Sequence, residues 1–355
     1  MHVCRSTEAR KTVLNLYWQK PPAFPYNQSV KKRPLAAIDM GTNTFRLLIA
    51  EVLRDNEKNS YSFRQIHSAR IITRLGEGMH DSGMISGEAM DRGVAALKEF
   101  SDTISGHHVH RTWACATSAL RNATNSREFI SRAKVEAGID IEIITGEQEA
   151  RLTAAGMLTD IAMPGTALMA DIGGGSTELI FSRRSEPVLV KSLDLGVVYS
   201  AGRYMKNDPP LNEDLKNMEE DISGRIMSGA GAFRKLIEDD TVFIGGAGTI
   251  TALAAMAQRL TRYEHSMIHN FRLTRETVKE LYCAISAVTS RERAEFIPFE
   301  PARLDIIVPG TLILFKLMET FGFNDILVSN YGLREGILIG LFNGMVTDRQ
   351  PEVNN

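Results

Sequence analysis

Two stretches of the chain pair a carboxylate with a turn of almost bare backbone. "ALMADIGGGSTELIF" (167–181) brings a hydrophobic run to Asp171, passes through Gly173, Gly174 and Gly175, and resumes at Ser176, Thr177 and Glu178. "IDMGTNTFRLLI" (38–49) repeats the plan around Asp39, Gly41, Thr42 and Asn43. Glycine has the most conformational freedom to lose on folding, so consecutive glycines need a compensating use. Successive N–H groups in such a turn form a concavity that binds phosphate oxygens. A carboxylate at its mouth suits Mg²⁺, which takes one or two acids together with substrate phosphates. One Asp-x-Gly turn alone is more simply a hairpin, but two copies, one with three glycines, favour phosphate. A P-loop would need Gly-Lys-Ser/Thr opening a helix, and a dinucleotide fingerprint its glycines at a helix start. Here "STELIF" alternates like a strand.

"IEIITGEQEARL" ends a strand and opens a helix, with Glu149 in the first helical turn, where the macrodipole favours an acid. Facing a phosphate cleft, Glu149 could take a proton from an attacking water; as a plain first-turn residue it needs no such role, and spacing alone does not separate the two. Arg46 and Arg121, the latter in "ATSALRNATN", are candidates for stabilising phosphoryl charge, since the guanidinium offers a fixed fork of donors. Arg46 stands in the first copy where Glu178 stands in the second. One turn is therefore suited to phosphate and the other to metal. "GHHVHR" (106–111) reads as a solvated turn without partner ligand spacing, and Met218, Met227 and Met256 read as core fillers.

The elements that must position these residues follow from periodicity. "LAAIDMG", "FRLLIAEVL" and "SYSFRQIHSARIIT" predict an antiparallel meander. Met90, Val94, Leu97, Phe100 and Ile104 then form one helical stripe behind a Ser86 cap. A strand near "RTWACATS", a helix from Ser126 to Ala137 closed by Gly138, a strand "IDIEIIT" and a helix from about Gln148 continue the pattern. The second half repeats it: "TALMADIG", "STELIFSR" and "EPVLVKSLDLG" as a meander, a charged helix at about 211–237, and "TVFIGGAG" as a strand entering a helix. Alternating strands and helices predict an α/β fold with mixed sheets. The repeated Asp-x-Gly turn predicts two related domains whose turns line the cleft between them.

The totals suit this plan. At 355 residues the chain exceeds one ordinary core. Its 43% apolar and 24% charged composition with net charge −2 gives no reason to expect nucleic-acid or membrane partners. Cys4, Cys115 and Cys283 are odd in number and far apart, which suits a reducing cytoplasm. The longest apolar run, "IIVPGTLILF" (306–315), is well short of the roughly 20 residues that span a bilayer. Residues 1–33 carry Arg5, Arg10, Lys11, Lys20, Lys31, Lys32 and Arg33 against Glu8 alone, and read as a basic, loosely ordered tail rather than a secretory signal.

Together, the two Asp-x-Gly turns, "IITGEQEARL", "FIGGAGTITALAAM", "CATSALRNATN", "LDIIVPG" and "VSNYGLREGIL" resemble the exopolyphosphatase and guanosine pentaphosphate phosphohydrolase family over about residues 35–343. The resemblance implies two ribonuclease H-like (actin-like ATPase) domains with mixed five-stranded sheets flanked by helices and an active site in the interdomain cleft. Domain I would span 34–152 plus about 331–347, domain II 153–330, and a C-terminal tail 348–355. By matching position, Glu149 resembles the catalytic base, Asp171 a metal-linked carboxylate and Arg121 an arginine near the terminal phosphate. Gly41, Thr42, Asn43 and Arg46 match the first phosphate loop, and Gly173, Gly174, Gly175 and Ser176 the second. Asp39, Asp171 and Glu178 are the implied metal ligands, for Mg²⁺ or alternatively Mn²⁺, with a monovalent cation as a further option.

Two departures accompany the match. The family's Gly-Thr-Gly-Gly-Thr reads Gly245-Gly246-Ala247-Gly248-Thr249 here, with Gly246 and Gly248 still expected at phosphate. No helical C-terminal domains follow, so a short two-domain form without their extended polyanion channel is expected. The implied activity is exopolyphosphatase, releasing the terminal phosphate of inorganic polyphosphate. Hydrolysis of the guanosine polyphosphate pppGpp at its 5′ end is the alternative, an alarmone-binding regulator with little hydrolysis is a rival of another class, and a sugar kinase lacks an acceptor signature. A homodimer is expected.

Overall fold

The computed structural model describes residues 33–55, 60–161, 165–183 and 186–345; the expected N-terminal tail, save Arg33, and the C-terminal tail lie outside them. Five strands form the first sheet: β1 (Leu35–Met40), β2 (Thr44–Asp55), β3 (Ser60–Ile72), β4 (Arg111–Ala116) and β5 (Ile141–Ile143). Their order is β3-β2-β1-β4-β5. β2 runs antiparallel to β1 and β3, while β4 and β5 continue parallel from β1. All six residues of β1 are buried, as befits a central strand covered on both faces.

The second sheet repeats that order with β6 (Thr166–Ile172), β7 (Thr177–Arg183), β8 (Glu186–Leu193), β9 (Val242–Gly246) and β11 (Asp325–Val328) in the places of β1, β2, β3, β4 and β5. This is the ribonuclease H-like arrangement, present twice. A sixth strand, β10 (Arg272–Thr274), pairs antiparallel with β11 at the edge. Three residues carry too little alternation to be read as a strand. β7, which alternates in sequence, is buried along both faces from Thr177 to Ser182 because helices cover each side of the sheet.

Local signals explain most helix ends. Ser86 accepts a hydrogen bond from the Ala89 amide at the start of Gly87–Gly106, and Gly138 closes Ser126–Ala137 in the left-handed region at φ 68°. Helix Gly146–Met157 starts two residues earlier than expected, because Thr145 and Gln148 form a capping box there. The run "IIVPGTLILF" enters helix Ile307–Phe321, where Pro309 falls in the first turn and its missing N–H costs no hydrogen bond. Among the described residues no helix is long and apolar enough to cross a membrane.

Two helices join the halves. Leu152 of Gly146–Met157 packs into the core of the first sheet, whereas Ala150, Ala154 and Met157 pack on β6, β7 and β9. The domain boundary expected at 152 therefore falls inside an unbroken helix that serves both cores. Helix Leu333–Phe342 returns to pack against β1, β2 and β4. The two helices cross at glycines: a Cβ on Gly336 would lie 1.8 Å from the Leu152 carbonyl oxygen, and one on Gly156 1.9 Å from that of Gly332. Backbones this close admit no side chain. Gly336→Ala should lower stability by about 1–3 kcal/mol in urea unfolding, the usual cost of forced overpacking. Gly224→Ala, on helix Asn212–Arg234 with nothing within 4 Å of the added Cβ, should instead raise it by up to about 1 kcal/mol through helix propensity. Equal effects would remove the close crossing from the account.

Candidate active site

The repeated turns lie opposite each other and share one hairpin geometry. The Gly41 amide donates to the Thr44 carbonyl at 3.1 Å, and the Gly173 amide to the Ser176 carbonyl at 2.9 Å. Neighbouring amides hold the turns' carbonyls: Gly76 donates to Thr42, Thr73 and Arg74 donate to Asn43, and Val197 and Val198, opening helix Val197–Tyr204, donate to Gly173 and Gly174. Carbonyls drawn outward leave the turns able to present N–H groups to an anion.

The turns also touch. A Cβ on Gly174 would stand 3.2 Å from Thr42 Cβ, and one on Gly175 would stand 2.5 Å from Ser118 Oγ and 2.7 Å from Thr42 Oγ1. Gly196 passes so close that its Cβ would meet the Gly174 oxygen at 2.3 Å. Close approach of turn to turn thus needs Gly174 and Gly175 as strictly as any ligand would.

Behind the turns, register aligns charges in two rows. On the first sheet Asp39 faces Arg46, and Arg46 faces Arg70. On the second, Asp171 faces Glu178, and Glu178 faces Ser192. Cross-strand partners share a sheet face, so each row points one way. The first row is attractive, with Arg46 Nη1 3.4 Å from Asp39 Oδ2. The second opposes two acids, Glu178 buried and Asp171 half-buried. Burial, then the Glu178 charge, pushes Asp171 from 3.8 to about 7. Burial also raises Asp39, against the pull of Arg46, and raises Glu178, against hydrogen bonds from Ser176 and from Ser192 Oγ at 2.8 Å.

Glu149 completes the site. It is 8% exposed, and Arg121 Nη1 donates to its Oε2 at 3.0 Å and to the Ile144 carbonyl at 2.9 Å. Burial, followed by the Glu178 charge, holds the Glu149 carboxyl well above its usual range despite Arg121. A carboxyl so raised is a proton acceptor that titrates nearer to neutral pH than a surface acid.

One cavity of about 400 Å³ gathers most of the expected residues: Asp39, Gly41, Thr42, Asn43, Arg46, Glu149, Asp171, Gly173, Gly174, Gly175, Ser176, Glu178 and Gly248. Two stand apart. Arg121 does not line the cavity but holds Glu149. Gly246 does not line it either; its absent side chain makes room for Met157, whose Cε would lie 2.5 Å from a Cβ there. The cavity also brings in residues that sequence reasoning missed, including Ser68, Arg70, Tyr263, Glu300, Arg303 and Arg334. Arg70 had a signal, its register opposite Arg46, but only once β3 was placed.

Among the described residues no three His, Cys, Asp or Glu side chains gather to hold a metal ion by themselves. Ligation by Asp39, Asp171 and Glu178 together therefore has no support, and Asp39 is already paired with Arg46. Half-buried Asp171 and buried Glu178, which repel each other, do fit a divalent cation, since Mg²⁺ needs only one or two carboxylates when phosphates and water supply the rest.

A model of the Ppx/GppA phosphatase family matches residues 52–344. Exopolyphosphatase 2 of Mycobacterium tuberculosis is 31% identical over 318 residues, covering 86% of this chain and 98% of that protein. The guanosine-5′-triphosphate,3′-diphosphate pyrophosphatase of Aeromonas salmonicida is 29% identical over 86% of this chain but 59% of its own length. Among solved structures, an exopolyphosphatase from Cytophaga hutchinsonii superposes with a TM-score of 0.78 at 29% identity, covering 88% of this chain and 98% of that one. The family match and these relatives indicate a phosphoanhydride hydrolase. The chain belongs to the Ppx/GppA phosphatase family.

The acidic row has a measurable consequence without metal. Between about pH 4 and 7 folded Asp171 keeps a proton that the unfolded chain releases, so its contribution to stability falls as pH rises through that window. In EDTA, the drop in urea midpoint from pH 5 to pH 7.5 should be smaller for Asp171→Asn than for the wild type. The same drop in both would contradict the raised acid.

Proposed function

We propose that the protein is an exopolyphosphatase that removes the terminal phosphate of inorganic polyphosphate by direct attack of water. The observation that carries this reading is one cavity holding both turns, both charge rows and Glu149. The terminal phosphate lies between the turns, its oxygens taking N–H groups from Thr42 and Asn43 and from Gly174 to Ser176, while the Gly41 and Gly173 amides close the two hairpins. Arg46 faces the anionic chain. Water attacks the terminal phosphorus, and one of its protons passes to the Glu149 carboxylate while the bridging P–O bond breaks and its electron pair leaves with the shortened polyphosphate. Arg121 acts through Glu149, fixing the carboxylate's orientation. Mg²⁺, held through Asp171 and Glu178, would supply neutralisation of charge on phosphate oxygens. Such chemistry asks for positioning and electrostatics rather than a covalent nucleophile.

The near-complete coverage of the mycobacterial exopolyphosphatase supports polyphosphate over guanosine polyphosphate. A second reading, 5′-hydrolysis of pppGpp, is favoured by Tyr263, Phe299 and Tyr331 on the cleft wall, where a base could stack. Comparing kcat/KM for polyphosphate and pppGpp, with Mg²⁺ and with EDTA, separates the two; tight pppGpp binding with no phosphate release would point to a sensor. Glu149→Gln should lower kcat by about 10²- to 10⁴-fold with the fold retained by circular dichroism. Normal turnover in that variant would remove Glu149 as the base.

A further inference from the structure

Away from the turns the cleft holds a second set of charges that the proposed chemistry does not use. Glu300, 4% exposed, lies between two arginines from opposite halves of the molecule. Arg70 of β3 donates to its Oε1 from the first sheet, and Arg303 approaches the same oxygen at 2.7 Å through Nε. All three line the cavity. Arg303 is only 8% exposed, yet its Nε has no aligned hydrogen-bond partner. Its guanidinium lies against the backbone of Gly248, where a Cβ would stand 1.7 Å from Nη2. Gly248 is the second residue of helix Ala247–Ala257, whose N-terminus lacks a side-chain cap. Two guanidiniums thus share a single carboxylate, and one of them, Arg303, also lies at the uncapped positive end of an 11-residue helix. Arg46, opposite Arg70 in register, is already paired with Asp39 and does not neutralise them.

Positive groups held this close repel one another unless an anion joins them, and a phosphate group offers more charge and more acceptor oxygens than one carboxylate. We propose that Arg70 and Arg303 form a second anion subsite and that Glu300 is its internal stand-in, filling the subsite in the free protein until a phosphate further along a substrate chain displaces it. The proposal rests on the phosphohydrolase reading above. A substrate confined to the turns leaves the Arg70–Glu300–Arg303 bridge closed across the cleft. A longer one exchanges the carboxylate for phosphate and gains the two arginines. Glu300 therefore sets preference for chain length by competing with the substrate.

The test compares KM for tripolyphosphate with KM for a longer polyphosphate of defined length. Glu300→Gln should lower KM for the longer substrate about tenfold more than for tripolyphosphate, the weight of about one charged hydrogen bond. Arg70→Met should raise the longer substrate's KM relative to tripolyphosphate, and Arg70→Lys should recover part of that loss. Opposite signs at Glu300 and Arg70 distinguish competition from a structural bridge, whose loss would move both variants the same way. An unchanged KM ratio in Glu300→Gln, or shifts of the same sign, overturns the proposal. If Glu300→Gln does not fold, the Arg70 variants decide alone, and an unchanged ratio in Arg70→Met overturns it. A wild type that hydrolyses neither polyphosphate counts against the functional reading instead. Calorimetric titration with the longer polyphosphate then decides the subsite: tighter binding by Glu300→Gln than by wild type supports it, and equal binding overturns it.

Discussion

The cross-strand pairing of Asp171 with Glu178 is the constraint on which the site depends. Two acids placed opposite each other, one buried and one half-buried, lose hydration and repel, and the protein leaves that repulsion uncancelled where the equivalent first-sheet pair, Asp39 with Arg46, cancels it. The same strand, turn and strand therefore produce a neutralised arm and a strained one. Hydrogen bonds from Ser192 and Ser176 ease Glu178 without supplying a countercharge. On the proposed function, a cation and a polyanion arriving together would relieve what folding alone leaves unbalanced.

Holding that pair in place takes close approaches that only glycine admits. Gly174 and Gly175 abut Thr42 and Ser118, Gly196 abuts the second turn, and Gly156 and Gly336 let the two linking helices cross with backbone against backbone. The Gly174 and Gly175 contacts join the second turn to Thr42 and Ser118 of the first half, whereas Gly196 braces that turn from within the second half. Helix Gly146–Met157 makes the link explicit. It carries Glu149 in its first turn, packs Leu152 on one core and Ala154 on the other, and so fixes the proposed base relative to both turns.

Much of this was legible in the sequence because the signals were local. Asp39 to Arg46 and Asp171 to Glu178 each lie within one hairpin, so periodicity and turn composition placed them together, and the repeat revealed the doubled sheet. What escaped notice depended on distant register. Arg70 joins its row only through the pairing of β3 with β2, and Glu300 and Arg303 come from the irregular stretch around the short 3₁₀ turn Pro301–Arg303. Gly246 and the three glycines Gly173 to Gly175 show the limit of composition. A glycine admits whatever approaches it, and at Gly246 that is Met157, while at Gly174 and Gly175 it is the opposing turn. Arg121, expected near the terminal phosphate, has its guanidinium on Glu149 and the Ile144 carbonyl, an arrangement set by how helix Ser118–Asn122 meets the end of β5.

The central claim is that the two turns hold one end of a polyanion against the acidic pair. A crystal structure of the Glu149→Gln protein soaked with Mn²⁺ and tripolyphosphate tests it most directly. The account predicts an anomalous metal peak bound by Asp171 and a terminal phosphorus between Gly41–Asn43 and Gly173–Ser176. Metal and phosphate resolved elsewhere, with both turns empty, would contradict it.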